Sequence, residues 1–147
     1  MVFKGYATGT GKKATMKVKD AQLLSWDDVQ GNQSFGAILN QDFVDISFDT
    51  DELSQKFWDM AEKNNWNCLI LENPENGHIH SYWKDTEHRI EKGGKDKKLA
   101  VGLIADIHSG STYIPLRVNG VDRFPPSFEP DDIDEVPDEL IPVNTTI

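Results

Sequence analysis

Apolar and polar positions along this chain keep two periods, and each predicts its own elements. Strict alternation through Phe43-Val44-Asp45-Ile46-Ser47-Phe48-Asp49 predicts a strand that turns Val44, Ile46 and Phe48 into a core and lines Asp45, Ser47 and Asp49 along the opposite face. Phe35-Gly36-Ala37-Ile38-Leu39 reads as a short buried strand ahead of it, the two forming a hairpin. After Asp49 the period lengthens. Leu53, Phe57, Met60 and Ala61 recur at helical spacing and predict an amphipathic helix to about Asn64, stopped by Asn64-Asn65. Residues 68–72 and 79–83 flank Asn73-Pro74-Glu75-Asn76-Gly77, turn chemistry that predicts a second hairpin. Residues 99–108 and 113–118 read as a further strand pair, and Asn119-Gly120 as a two-residue hairpin turn.

Elsewhere the pattern is less regular. Residues 1–20 mix Gly, Thr and Lys without periodicity, and Gly9-Thr10-Gly11-Lys12-Lys13 reads as a flexible basic loop. It lacks the spacing of a Walker-type phosphate loop, because Lys13 stands where that motif needs a hydroxyl. Ser25 before Trp26-Asp27-Asp28-Val29 predicts a capped helical turn, and residues 91–98 read as a polar loop. Five prolines follow Phe124. The expected organisation is a folded domain over 1–128 and an acidic, proline-containing tail or linker over 129–147. The expected fold is α+β, a mixed or antiparallel sheet with flanking helices.

Composition sharpens this only in places. With 147 residues, 37% hydrophobic, the chain can bury one core, and its single cysteine, Cys68, excludes an intramolecular disulfide. No stretch approaches the roughly 20 apolar residues of a membrane helix, and no leader is visible, so a cytoplasmic protein without a membrane partner is expected. The net charge of −10 is unevenly spread. Seven acids and no base lie between Glu129 and Glu139, leaving 18 acids against 15 bases, a net of −3, over residues 1–128. Two basic segments survive, around Lys12 and Lys13 and around Lys92 and Lys95, and these are the candidate nucleic-acid contacts; the alternative is solvated loop lysines. The acidic tail is expected to compete with phosphate for them.

Three polar clusters emerge from apolar strands: Asp45/Ser47/Asp49, His78/His80/Tyr82 and Asp106. Carboxylates suit Mg²⁺ or Mn²⁺, hard ions that bring phosphates with them, and a strand-borne His binds phosphate or transfers a proton. Asp49 has a second reading as the N-cap of the following helix.

In order and surroundings the clusters resemble the primase-polymerase domain of the archaeo-eukaryotic primase superfamily, in the version found at the N-terminus of phage and plasmid primase-helicases. Ile46-Ser47-Phe48-Asp49-Thr50-Asp51-Glu52 is similar to its first motif, Gly77-His78-Ile79-His80-Ser81-Tyr82-Trp83 to its second, and Ala105-Asp106-Ile107-His108-Ser109-Gly110 to its third. Residues 118–123 and 136–143 also resemble the phage versions. The resemblance implies DNA replication by metal-dependent, template-directed nucleotidyl transfer, with DNA and nucleotides as partners and a replicative helicase domain or protein nearby. It implies Asp49 and Asp106 as catalytic metal ligands, and Asp45, on the same strand face, is a further candidate metal ligand. It gives His80 to the incoming nucleotide's phosphates, with His78 as its rival and Arg123 as a further nucleotide contact. Ser47 stands where the family has its first aspartate. That departure implies weakly held metals, reduced or lost catalysis and, as an alternative function, a nucleic-acid- or nucleotide-binding module; the acidic tail gives a third reading, an interaction protein whose tail engages a basic partner or covers its own basic groove. Ser47→Asp is expected to strengthen Mn²⁺ binding.

Overall fold

A computed structural model describes residues 2–10, 13–14 (as backbone), 23–110, 112–123 and 133–143. The elements are β1 (Phe3–Thr10), β2 (Lys13–Ala14), α1 (Trp26–Val29), β3 (Phe35–Leu39), β4 (Phe43–Ser47), α2 (Asp51–Asn64), β5 (Leu69–Glu72), β6 (Ile79–Lys84), β7 (Gly94–Lys98), β8 (Ile104–Ser109), β9 (Tyr113–Val118) and β10 (Val121–Asp122). A 3₁₀ turn, Asp138–Leu140, follows. The fold is α+β, built on two five-stranded sheets ordered β10-β9-β3-β1-β2 and β5-β6-β4-β8-β7, with every strand pairing antiparallel.

Alternation in the second sheet makes two cores. Val44, Ile46, Ile79, Trp83, Ala105 and Ile107 point to one face, where Phe57 and Ala61 of α2 cover them. Leu69, Leu71, Tyr82 and Phe43 point to the other face and pack on Phe3, Phe35, Leu39, Ile114 and Leu116 of the first sheet. That face is shared between apolar contact with the first sheet and the polar clusters, and the division places the site.

The β5/β6 hairpin, the Ser25 capping box on α1 and α2 itself form as the pattern predicts. So does the Asn119-Gly120 turn, where Val118 pairs with Val121 and both turn residues take positive φ, 49° and 82°. Two predicted hairpins do not form. β3 pairs with β1 and β9, whereas β4 pairs with β6 and β8; likewise β8 belongs to the second sheet and β9 to the first. Both connections cross between sheets at one place, tied by the Leu39 N–H to the Thr112 carbonyl at 2.8 Å.

Residues 3–10, read as part of a loop region, form the strand β1. Its period is obscured by a bulge between Phe3 and Gly5 and by Gly5 itself, whose missing Cβ admits Leu23, 2.9 Å from where that atom would sit. Residues 94–98, also read as loop, are the edge strand β7, whose exposed lysines suit an edge that must not pair further.

The largest correction concerns the tail. Ile133, Val136 and Leu140 are 5%, 1% and 0% exposed and belong to the two cores. Asp134 and Val136 hydrogen-bond the backbone of Lys84, and Ala100, Val101 and Lys98 bond Ile141, Glu139 and Val143. Arg89 clamps Asp138 and the Val136 carbonyl. Residues 133–143 are thus part of the domain expected to end at 128. Cys68 sits beside them, its thiol pushed up to about 12 by burial and by the Asp134 charge, the behaviour of a packing residue. Among the described residues no helix is long and apolar enough to cross a membrane.

Candidate functional site

β4 is the middle strand of its sheet, and its register with β6 and β8 builds the site. Ser47 lies opposite His80 on one side and Asp106 on the other; Asp45 lies opposite Tyr82 and His108. Directly paired residues share a face, so these six side chains form two adjacent rows. Beyond them, Tyr113, Ile114 and Pro115 of β9 together with Arg123 close a cavity of about 280 Å³ against Asp45, His80, Tyr82 and His108.

Asp45 is the electrostatic centre of the two rows. It is 2% exposed, and its Oδ1 accepts the Ser47 hydroxyl at 2.8 Å while its Oδ2 accepts His108 Nδ1 at 3.2 Å and lies 3.8 Å from His80 Nδ1. Burial pushes its pKa up, but hydrogen bonds and charge from His108 and His80 outweigh this and hold the carboxyl below its ordinary value. Both of its oxygens thus lie within hydrogen-bond reach of protein partners, and the carboxylate is buried. Tyr82 remains a neutral phenol, raised by burial and by the Asp45 charge and drawn down by Arg123.

The partner of Asp45, His108, is raised by its Asp45 hydrogen bond, against the lowering effect of burial. The pair then contributes stability over a window whose edges follow from the signs. The Asp45 contribution is complete above the usual 3.8 and is lost as pH falls through its lowered folded value; the His108 contribution is complete below the usual 6.5 and is lost as pH rises through its raised one. Parent and Asp45→Asn should differ most in urea-unfolding free energy between those two values and converge on either side. A difference independent of pH would refute the pairing.

Asp49 and Asp106 meet at the end of β4. Thr50, not Asp49, caps α2, its hydroxyl accepting the Leu53 N–H at 3.1 Å. Asp49 is thus free to face Asp106, and its pKa is raised by burial, then by hydrogen-bonding and charge from Asp106, with His80 and His78 opposing. Asp106 is held in turn by the Asp96 N–H at 2.9 Å, offered by β7. Among the described residues no group of three or more His, Cys, Asp and Glu is arranged to hold a metal ion. Two facing carboxylates nevertheless suit a hard divalent cation, since Mg²⁺ typically takes one or two carboxylates and completes its shell with water and phosphate oxygens.

Of the remaining expected residues, His80 and Arg123 line the cavity, whereas His78 points its Nε2 to Asp51 at the start of α2, 3.3 Å away. Lys92 is exposed just before β7 and Lys95 is exposed within it, the strand that pairs with β8 beside Asp106. Lys12 and the side chain of Lys13 lie outside the described residues. The structure adds His108 and Tyr113, neither marked as a site residue by sequence alone. His108 follows Asp106 by two and so shares its face, a signal that was present but could not name its partner. Comparison with protein-family models, with curated proteins and with solved structures finds no match to this chain.

Proposed function

We propose that this domain binds a nucleotide through its phosphates together with a divalent cation, and performs template-directed nucleotidyl transfer on DNA in replication, as the primase-polymerase resemblance implies. The observation that carries the proposal is the pair of facing carboxylates, Asp49 and Asp106, beside a histidine-lined cavity that also holds Arg123. A bound Mg²⁺ or Mn²⁺ supplies charge neutralisation between the two acids and Lewis acidity toward phosphate oxygens. Asp49 and Asp106 would hold it. Arg123 offers charge-assisted hydrogen bonds to phosphate, His80 supplies a ring nitrogen at the cavity, and the lysines of β7 supply a positive edge for a nucleic-acid backbone.

Binding without catalysis is the second reading, and a specific observation favours it. Ser47 and Asp45 spend their polar atoms on each other and on His80 and His108, so two acids rather than three remain for metal.

Calorimetric titration with Mn²⁺ and a nucleoside triphosphate, followed by primer synthesis on single-stranded DNA, separates the two readings. Asp49→Asn and Asp106→Asn should each weaken Mn²⁺ binding about tenfold or more, equivalent to about 1.4 kcal/mol. Unchanged affinity in both variants would remove the metal site. Asp-dependent binding without synthesis would leave the binding module.

A further inference from the structure

Ser47 presents one hydroxyl to two partners, Asp45 Oδ1 at 2.8 Å and His80 Nδ1 at 2.6 Å, and counting hydrogens fixes who donates. A hydroxyl has one proton and an ionised carboxylate has none. If the Ser47 proton goes to Asp45, the serine oxygen can only accept, so Nδ1 of His80 must carry a hydrogen. If the proton goes to His80 instead, Asp45 Oδ1 loses its donor at a residue that is 2% exposed. Hydrogen bonds to a buried charge are the stronger ones, so the first arrangement is favoured by about tenfold. His108 is consistent with Asp45 as an accepting carboxylate, its Nδ1 lying 3.2 Å from Asp45 Oδ2.

We propose that Ser47 is a relay between Asp45 and His80, which holds His80 with its hydrogen on Nδ1 and leaves Nε2 as a proton-accepting atom. A free imidazole prefers the opposite tautomer, so the relay reverses an intrinsic preference. Asp45 and Ser47 are positioning residues, since neither needs to touch a ligand. Nε2 of His80 has no protein partner among the described residues, and the ring lines the cavity. A ligand hydroxyl placed there can transfer its proton to Nε2; the O–H bond breaks, the N–H bond forms, and the resulting imidazolium is stabilised through Ser47 by the Asp45 charge. This changes what His80 offers to the nucleotide of the proposed function: an acceptor for a hydroxyl in the neutral ring, and a donor to phosphate only once protonated. The tautomer itself does not depend on that function, and only the identity of the ligand rests on it.

Imidazole ¹⁵N shifts read the tautomer directly, and they do so without metal, nucleotide or DNA. In the parent protein at a pH where His80 is neutral, Nδ1 should carry the protonated signature and Nε2 the unprotonated one. Ser47→Thr, which keeps the hydroxyl, should preserve this. Ser47→Ala and Asp45→Asn should shift the population toward Nε2–H by about tenfold, while amide spectra report whether each variant is folded. Nε2–H in the parent overturns the proposal. Nδ1–H retained in Ser47→Ala also overturns it, because Asp45 would then act on His80 directly across their 3.8 Å separation. Failure of Mn²⁺ binding, by contrast, would leave the tautomer result standing.

Discussion

A chain ending at Ser127 is expected not to fold. Such a truncation removes Ile133, Val136 and Leu140, three side chains at 5% exposure or less that complete both cores. Losing each buried aliphatic group costs about 2–5 kcal/mol where the cavity cannot collapse, so three together approach or exceed the roughly 5–15 kcal/mol that holds a domain folded. Backbone groups are stranded as well. Lys84, Lys98, Ala100 and Val101 lose the partners that Asp134, Val136, Glu139, Ile141 and Val143 provide. Near-UV circular dichroism of the truncated chain should lack the parent's aromatic signature, because Trp83 and Phe57 lie in the core that Val136 and Leu140 close. A milder form of the same test is Leu140→Ala, expected to cost about 2–5 kcal/mol in denaturant unfolding. A truncated chain with native near-UV signal and a cooperative melt would refute the integral role of this segment. The acidity there also changes meaning. Glu135 accepts Thr86 and Asp138 pairs with Arg89, so these acids help to anchor the segment rather than forming a detachable competitor for phosphate.

How much of this was readable in the sequence depends on whether the information is local. The α2 period, the β5/β6 hairpin and the Asn119-Gly120 turn are local, and they follow from residue order alone. The common face of Asp45, Ser47 and Asp49 is local too, since strand geometry sets it. Partner choice is not. Nothing between Leu39 and Phe43, or between Ser109 and Tyr113, tells a tight hairpin from a crossing to another sheet. Residues 133–143 hide three core positions among acids and prolines, which composition reads as tail. The surroundings of Asp45 are hidden for the same reason as the hairpins: its burial and its two imidazole partners come from the register of β4 with β6 and β8, and a single strand does not carry its own register.

Register also adds a cost to Ser47→Asp that the sequence does not show. From the sequence, the substitution supplies a missing ligand and should only help metal binding. In the structure, the Ser47 oxygen is 2.8 Å from the Asp45 carboxylate and the residue is 2% exposed, so the new carboxyl is forced against an existing buried charge. Without metal, we expect Ser47→Asp to lose about 3–5 kcal/mol of stability, the usual cost of a buried charge lacking a partner. The two acids respond by sharing a proton. Their folded pKa rises above the unfolded value, so the deficit is fully present at high pH and shrinks as pH falls through the raised value. Asp45→Asn/Ser47→Asp moves the carboxylate along the strand without doubling it, and should recover most of the lost stability. Mn²⁺ then discriminates between the consequences. If the new carboxylate joins Asp49 and Asp106, thermal stabilisation by Mn²⁺ should be larger in both variants than in the parent, because a cation offsets the repulsion that the substitution created. Denaturant unfolding with and without Mn²⁺ checks both halves. A metal-free Ser47→Asp protein as stable as the parent at neutral pH would mean that Asp45 does not hold the buried, hydrogen-bonded charge on which the relay depends.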